Sequence, residues 1–125
     1  MAVVLDAGAL IAIDRADARV LRYLDRVERG GMAVRTSSVV VAQVWRDGAR
    51  QARLTLALRG VREVPVDCAR SRSIGELLAS HGWRDVVDGA VVQLSDDGDD
   101  VLTSDAADIA SLAAAAGKRI RVVPL

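Results

Sequence analysis

Apolar residues fall in two patterns that alternate along the chain: short, mostly apolar runs and stripes at helical spacing. The runs at 3–5, 32–36, 61–66, 100–103 and 120–123 predict five strands. Helices are predicted over 7–13, 16–29, 39–46, 49–58, 85–94 and 106–116, and another capped by Asp67 and running to 79. Val20, Leu21, Leu24 and Val27 form the stripe of the second helix, which Gly30 and Gly31 end. Ser37 and Ser38 suit the cap of the third, Gly48 and Gly60 bracket the fourth, and Gly117 closes the last.

This regular alternation predicts an α/β fold, three layers of helix, sheet and helix around a central, roughly five-stranded parallel sheet, as one domain over 1–125. In such sheets ligands sit beyond the carboxyl ends of the strands, where strand order reverses. Asp6 follows the first strand and Asp105 the fourth. If those strands are neighbours at the reversal, the two carboxylates converge.

Composition narrows the chemistry. Half of the 125 residues are hydrophobic, almost all Ala, Val, Leu and Ile, with no Phe. Such a chain suits buried strands under Ala-rich helices and is too apolar for disorder. Cys68 is the only cysteine and reads as a buried apolar filler; it leaves no disulfide framework and no cysteine-based zinc site. His81, the only histidine, reads as a surface turn residue and argues against zinc, Ser-His and Cys-His centres. No apolar stretch approaches the roughly 20 residues of a membrane span, so a cytoplasmic protein without a membrane partner is expected.

Zero net charge conceals a segregation. Residues 46–62 carry Arg46, Arg50, Arg53, Arg59 and Arg62 against Asp47, whereas 85–108 hold Asp85, Asp88, Asp96, Asp97, Asp99, Asp100, Asp105 and Asp108 without a base. The runs suit two solvated faces, or an acidic cation-binding centre beside an Arg surface that attracts phosphate. Carboxylates crowded in a cleft raise each other's pKa unless a cation sits between them, and hard divalent ions take such ligands. Each acid also has a structural reading. Asp6 suits the N-cap of 7–13, and the Asp85/Asp88 and Asp105/Asp108 spacings resemble capping boxes. Thr103 and Ser104 lie beside Asp105 as strand-end packing or support for the carboxylate. Trp45 and Trp83 read as packing or interface groups.

Four segments, taken together, resemble the PIN-domain proteins: Val3-Val4-Leu5-Asp6-Ala7-Gly8-Ala9-Leu10-Ile11, Val41-Ala42-Gln43-Val44-Trp45-Arg46, Asp85-Val86-Val87-Asp88-Gly89-Ala90-Val91-Val92, and Val101-Leu102-Thr103-Ser104-Asp105-Ala106-Ala107-Asp108-Ile109. They stand in the family's order, span nearly the whole chain and come nearest the VapC-type toxins of bacterial toxin–antitoxin pairs. The resemblance implies an endoribonuclease that hydrolyses RNA phosphodiesters with Mg²⁺ or Mn²⁺. It puts Asp6, Asp88 and Asp105 in the catalytic and metal-binding positions, with Asp108 as a further ligand and Gln43, Asp85, Thr103 and Ser104 as accessories. It also implies a VapB-type antitoxin as partner and a homodimer. Arg46, Arg50 and Arg53 are the expected RNA contacts.

One departure matters. The family usually has glutamate where this chain has Gln43, which brings no charge and weakens divalent-ion binding. A PIN relative weakened at that position, acting by binding RNA or antitoxin, is the alternative. A receiver-like signalling domain fits poorly, because Asp6 is followed by Ala7 and Gly8 where a second acid is expected, and Lys118 precedes its strand. A haloacid-dehalogenase-type phosphatase needs an acid where Gly8 stands.

Overall fold

A computed structural model describes all residues, 1–125. In chain order its elements are β1 (Ala2–Leu5), α1 (Ala7–Asp14), α2 (Ala18–Arg29), β2 (Ala33–Ser37), α3 (Ser38–Val44), α4 (Ala52–Leu58), β3 (Arg62–Val64), α5 (Cys68–His81), α6 (Val86–Leu94), β4 (Asp100–Thr103), α7 (Ala106–Ala115) and β5 (Arg121–Pro124). All five strands are parallel, in the order β3-β2-β1-β4-β5. β1 and β4 are wholly buried, and their residues Val3, Val4, Leu5, Val101 and Leu102 lie at the centre of the core. Such strands can only sit mid-sheet under two helical layers.

α1 packs on α2, α3 and α4, and α6 packs on α5 and α7, with α3 in contact with both α1 and α6. Right-handed crossovers require the two layers, because the chain moves outward from β1 through β2 to β3 and then returns to β4 and β5. Strand order therefore reverses between β1 and β4, with Leu5 in register with Leu102. Both strands point their carboxyl ends at the crevice where such sheets bind ligands. No helix is long and apolar enough to cross a membrane.

Several boundaries differ from the sequence expectation for local reasons. The second helix begins at Ala18 and not at 16, since Ala16 is left-handed (φ 56°) and Asp17 caps Arg19 and Val20. α3 stops at Val44 because the Gln51 amide accepts from the Arg46 and Asp47 N–H groups and donates to the Val44 carbonyl, folding 45–51 into a loop. Consequently α4 starts at Ala52, later than 49. Cys68 is exposed at the start of α5, not a buried filler, because Asp67 caps that helix at the surface. His81 belongs to the end of α5, half-buried, with Nε2 3.0 Å from Ser111 Oγ, and the turn falls one residue later at left-handed Gly82.

Candidate active site

Asp6 follows the last residue of β1 and remains tied to β4. Its backbone N–H donates to the Leu102 carbonyl at 3.2 Å, which extends the strand pairing. Its carboxylate is only 4% exposed as a residue and has two tasks. Oδ1 accepts from the Ala9 N–H at 2.9 Å and caps α1. Oδ2 accepts from the Thr103 hydroxyl and from the Ser104 N–H, the latter at 3.2 Å. The same Thr103 oxygen accepts from the Asp105 N–H at 2.9 Å. One hydroxyl thus fixes the backbone carrying both strand-end acids.

Gly8 makes this approach possible. A Cβ at that position would lie 2.7 Å from Ser104 Cβ and closer still to its hydroxyl, a separation side chains do not tolerate. α1 therefore meets the loop after β4 only because residue 8 has no side chain.

Asp88 enters from the opposite layer, on the first turn of α6. Asp85 caps that helix, accepting from Val87 N at 2.9 Å and Asp88 N at 3.1 Å. The Asp88 residue is 7% exposed, and its Oδ2 accepts from Trp83 Nε1 at 3.3 Å. Burial pushes the Asp88 carboxyl up to about 6; the charge of Asp85 adds to this, the Trp83 N–H opposes it, and Asp105 and Asp108 raise it further. Burial likewise raises Asp6, against the hydrogen bonds from Thr103, Ala9 and Ser104, and Asp105 again pushes upward. Asp105 is therefore the carboxylate that both buried acids feel.

Asp105 and Asp108 are exposed at the start of α7. Asp105 occupies the N-cap position, yet its carboxylate makes no capping hydrogen bond, so the expected capping box is not formed. Gln43 is exposed on α3, the helix packed against both α1 and α6.

A shared coordination shell of four aspartates is not present: no three His, Cys, Asp or Glu groups stand close enough to hold a metal. Asp6 is turned onto Thr103 and Ser104, and Asp88 onto Trp83. The chemistry of the donor set nonetheless fits a hard divalent cation. It consists of carboxylates at a sheet-end crevice, two of them raised above the ordinary carboxylate range by burial and, in part, by the charge of Asp105, and no cation stands among the main influences on either.

The acid run divides into two places. Asp96, Asp99 and Asp100 lie at the opposite, amino end of the strands. Asp99 accepts from Ala2 N at 2.8 Å and meets Arg35 at 2.5 Å, Asp96 meets Arg35 at 3.3 Å, and Asp100 pairs with Arg121 at 2.5 Å. These acids are ion-paired within the fold, Asp96 and Asp99 sharing the one Arg35 guanidinium. Arg46, Arg50 and Arg53 are exposed around the α3–α4 loop; Arg46 donates to the Ala42 and Trp45 carbonyls, and Arg50 lies 3.8 Å from Asp47.

Sequence reasoning missed Trp83 as a partner of Asp88, for which its position two residues before the Asp85 cap is the only signal. It also missed Lys118. Its ammonium donates to the carbonyls of Val92, Gln93 and Ser95 at 2.8, 2.7 and 2.7 Å, completing the carboxyl end of the helix that carries Asp88.

No protein-family profile matches the chain, and no curated protein matches it in sequence. Solved structures do match in shape. A chain of the VapBC2 complex from Rickettsia felis, crystallised on a DNA fragment from their promoter, superposes with a TM-score of 0.72 at 13% identity, covering 98% of this chain and 99% of that one. A chain of FitAB bound to an IR36 DNA fragment gives 0.62 at 18% identity over 96% and 94%. These likenesses establish the fold: the PIN-like α/β/α arrangement expected from the motifs is the one adopted.

Proposed function

We propose that this chain is the toxin of a toxin–antitoxin pair, a divalent-metal-dependent endoribonuclease acting through Asp6, Asp88 and Asp105. One observation carries the reading: buried Asp6 and Asp88, from opposite helical layers, are both coupled to Asp105 at the point where strand order reverses. The fold likeness to a VapBC2 chain supports it independently, since VapC-type toxins are also what the four sequence motifs resemble.

Mg²⁺ or Mn²⁺ would be held by Asp6, Asp88 and Asp105, with Asp108, on the first turn of α7, as a further ligand. Bound there, it lowers the pKa of water and stabilises charge on phosphodiester oxygens. The protein's own groups prepare this. Thr103 and Ser104 fix one Asp6 oxygen and the Ala9 N–H partly occupies the other, so Asp6 is a rigid ligand with little capacity to rotate. Asp105 carries no such tether and supplies adjustment. Asp88, half-titrated near pH 6, becomes a full anion in neutral solution. An antitoxin of the VapB type, a homodimer and RNA attraction by Arg46, Arg50 and Arg53 belong to the same proposal.

The test is RNA cleavage with Mn²⁺ by wild type, Asp88→Asn and Asp105→Asn. Activity should drop by two orders of magnitude or more in each variant; unchanged cleavage in both refutes the assignment. The weakened relative is the second reading, favoured by exposed, uncharged Gln43 where the family usually carries glutamate. Gln43→Glu conferring strong cleavage on an inert wild type would establish it.

A further inference from the structure

A cleft of about 380 Å³ opens between α2 and the carboxyl ends of β4 and β5. Its wall is α2, with Arg19, Arg22 and Arg26 and the capping Asp17, whose carboxylate is engaged by the Arg19 and Val20 N–H groups, and its floor is apolar, from Leu102 and Val123 to Leu125. The three arginines are exposed and none forms a salt bridge or a side-chain hydrogen bond, whereas Arg29 on the same helix is held by Asp25 at 3.1 Å. They recur at helical spacing and so present their guanidiniums along one face, over about 10 Å of helix axis. At about 3.4 Å per stacked nucleotide, that length serves roughly three steps of a strand. Tyr23, also lining the cleft, is anchored by its hydroxyl, which donates to Asp100 at 3.2 Å.

The cleft adjoins the acidic crevice. Leu125 donates its backbone N–H to the Thr103 carbonyl at 3.0 Å, and its side chain lies 3.2 Å from where a Cβ on Gly8 would be. One residue thus borders both the Arg-lined cleft and the rim around Asp6. The electrostatics complement each other. A phosphodiester approaching Asp6, Asp88 and Asp105 is repelled by them, and unpaired cations beside the crevice offset that repulsion along the same strand. Arg46 and Arg50 are less available, being engaged with carbonyls and near Asp47.

We propose that this cleft seats the single-stranded RNA flanking the phosphate to be cut, with its phosphates on Arg19, Arg22 and Arg26. This rests on the ribonuclease reading for its substrate class. The apolar floor accommodates sugar and base surface, while the guanidiniums supply sequence-independent affinity.

The test is fluorescence anisotropy with a labelled single-stranded RNA of about ten nucleotides in EDTA, so that no cleavage occurs. Three proteins are compared: wild type, Arg19→Gln/Arg22→Gln/Arg26→Gln, and a control losing equal charge outside the cleft, Arg29→Gln/Arg72→Gln/Arg119→Gln. The cleft variant should weaken binding at least tenfold and reduce the slope of log K against log salt by about 2, three contacts at about 0.7 each. The control should stay within about twofold. Equal losses in both variants, no loss in the cleft variant, no binding of RNA by wild type, or preference of wild type for a glutamate-rich peptide over RNA each overturn the proposal. Because binding is read without metal, the outcomes separate. Intact cleft-dependent binding with no cleavage in the Mn²⁺ assay sinks the catalytic reading alone, and cleavage without cleft-dependent binding sinks only the cleft.

Discussion

The indole N–H of Trp83 points at Asp88 Oδ2 across 3.3 Å, joining the turn after α5 to the most strongly perturbed carboxyl of the crevice. This bond favours ionised Asp88 and opposes the burial that raises it. Trp83→Phe keeps an aromatic body and removes the donor. The Asp88 carboxyl then rises above about 6, and the acid limb of the pH–rate profile moves upward by about one pH unit. Rate lost at pH 6 should be regained by pH 8; a uniform loss at every pH would assign Trp83 to packing alone.

Asp88 also makes metal-free stability depend on pH. Its carboxyl is raised from the ordinary 3.8 to about 6, so the folded state binds a proton more tightly than the unfolded chain. The stabilisation is complete below about pH 4 and is lost as pH rises through about 6. In EDTA, Asp88→Asn should escape this loss and be more stable than wild type at pH 8 by up to about 3 kcal/mol. Urea melts of both proteins at pH 4 and pH 8 measure it, and equal shifts at the two pH values contradict the cause.

Thr103→Val keeps the shape and deletes the hydroxyl shared by Asp6 and the Asp105 backbone. Residue 103 is fully buried, so the loss leaves polar groups unpaired and costs about 1–3 kcal/mol. Thermal unfolding should show a drop of several degrees, with cleavage reduced at least tenfold. A silent substitution would mean that Ser104 and Ala9 suffice to hold Asp6.

Gly8→Ala forces the loop after β4 away from α1 and with it the Ser104 N–H from Asp6. Stability should fall by about 2 kcal/mol. Ser104→Gly removes the obstructing side chain, and in the double variant it should recover more than half of that loss. A double-mutant cycle gives the coupling, and strict additivity would refute the contact.

Much of this was legible in the sequence. The run at β1 is wholly apolar, that at β4 has Val101 and Leu102 at its centre, and Asp6 and Asp105 follow the two strands. Both facts are local, and parallel topology turns them into neighbours. What stayed hidden depends on partners far away in the chain. Asp96, Asp99 and Asp100 stand in the same base-free run as Asp88, and only the pairing with Arg35 and Arg121, on other strands, separates them from the crevice acids. Trp83 looked like packing because nothing nearby reveals where its N–H is aimed. Gly8 matched a motif, but its necessity is set by a side chain almost a hundred residues later. The extent of α3 and α4 was misjudged because the Gln51 side chain, not backbone propensity, decides where the first ends.

The untethered carboxylate of Asp105 has a practical bearing. Replacing Asp6 with asparagine puts an amide where two donors converge and disturbs the architecture along with the chemistry. At Asp105 no backbone group relies on the side chain, so Asp105→Asn strips a charge and leaves the scaffold alone. On the proposed ribonuclease reading, an inert yet intact form, suited to trapping uncut RNA for crystallography, is therefore best made at position 105.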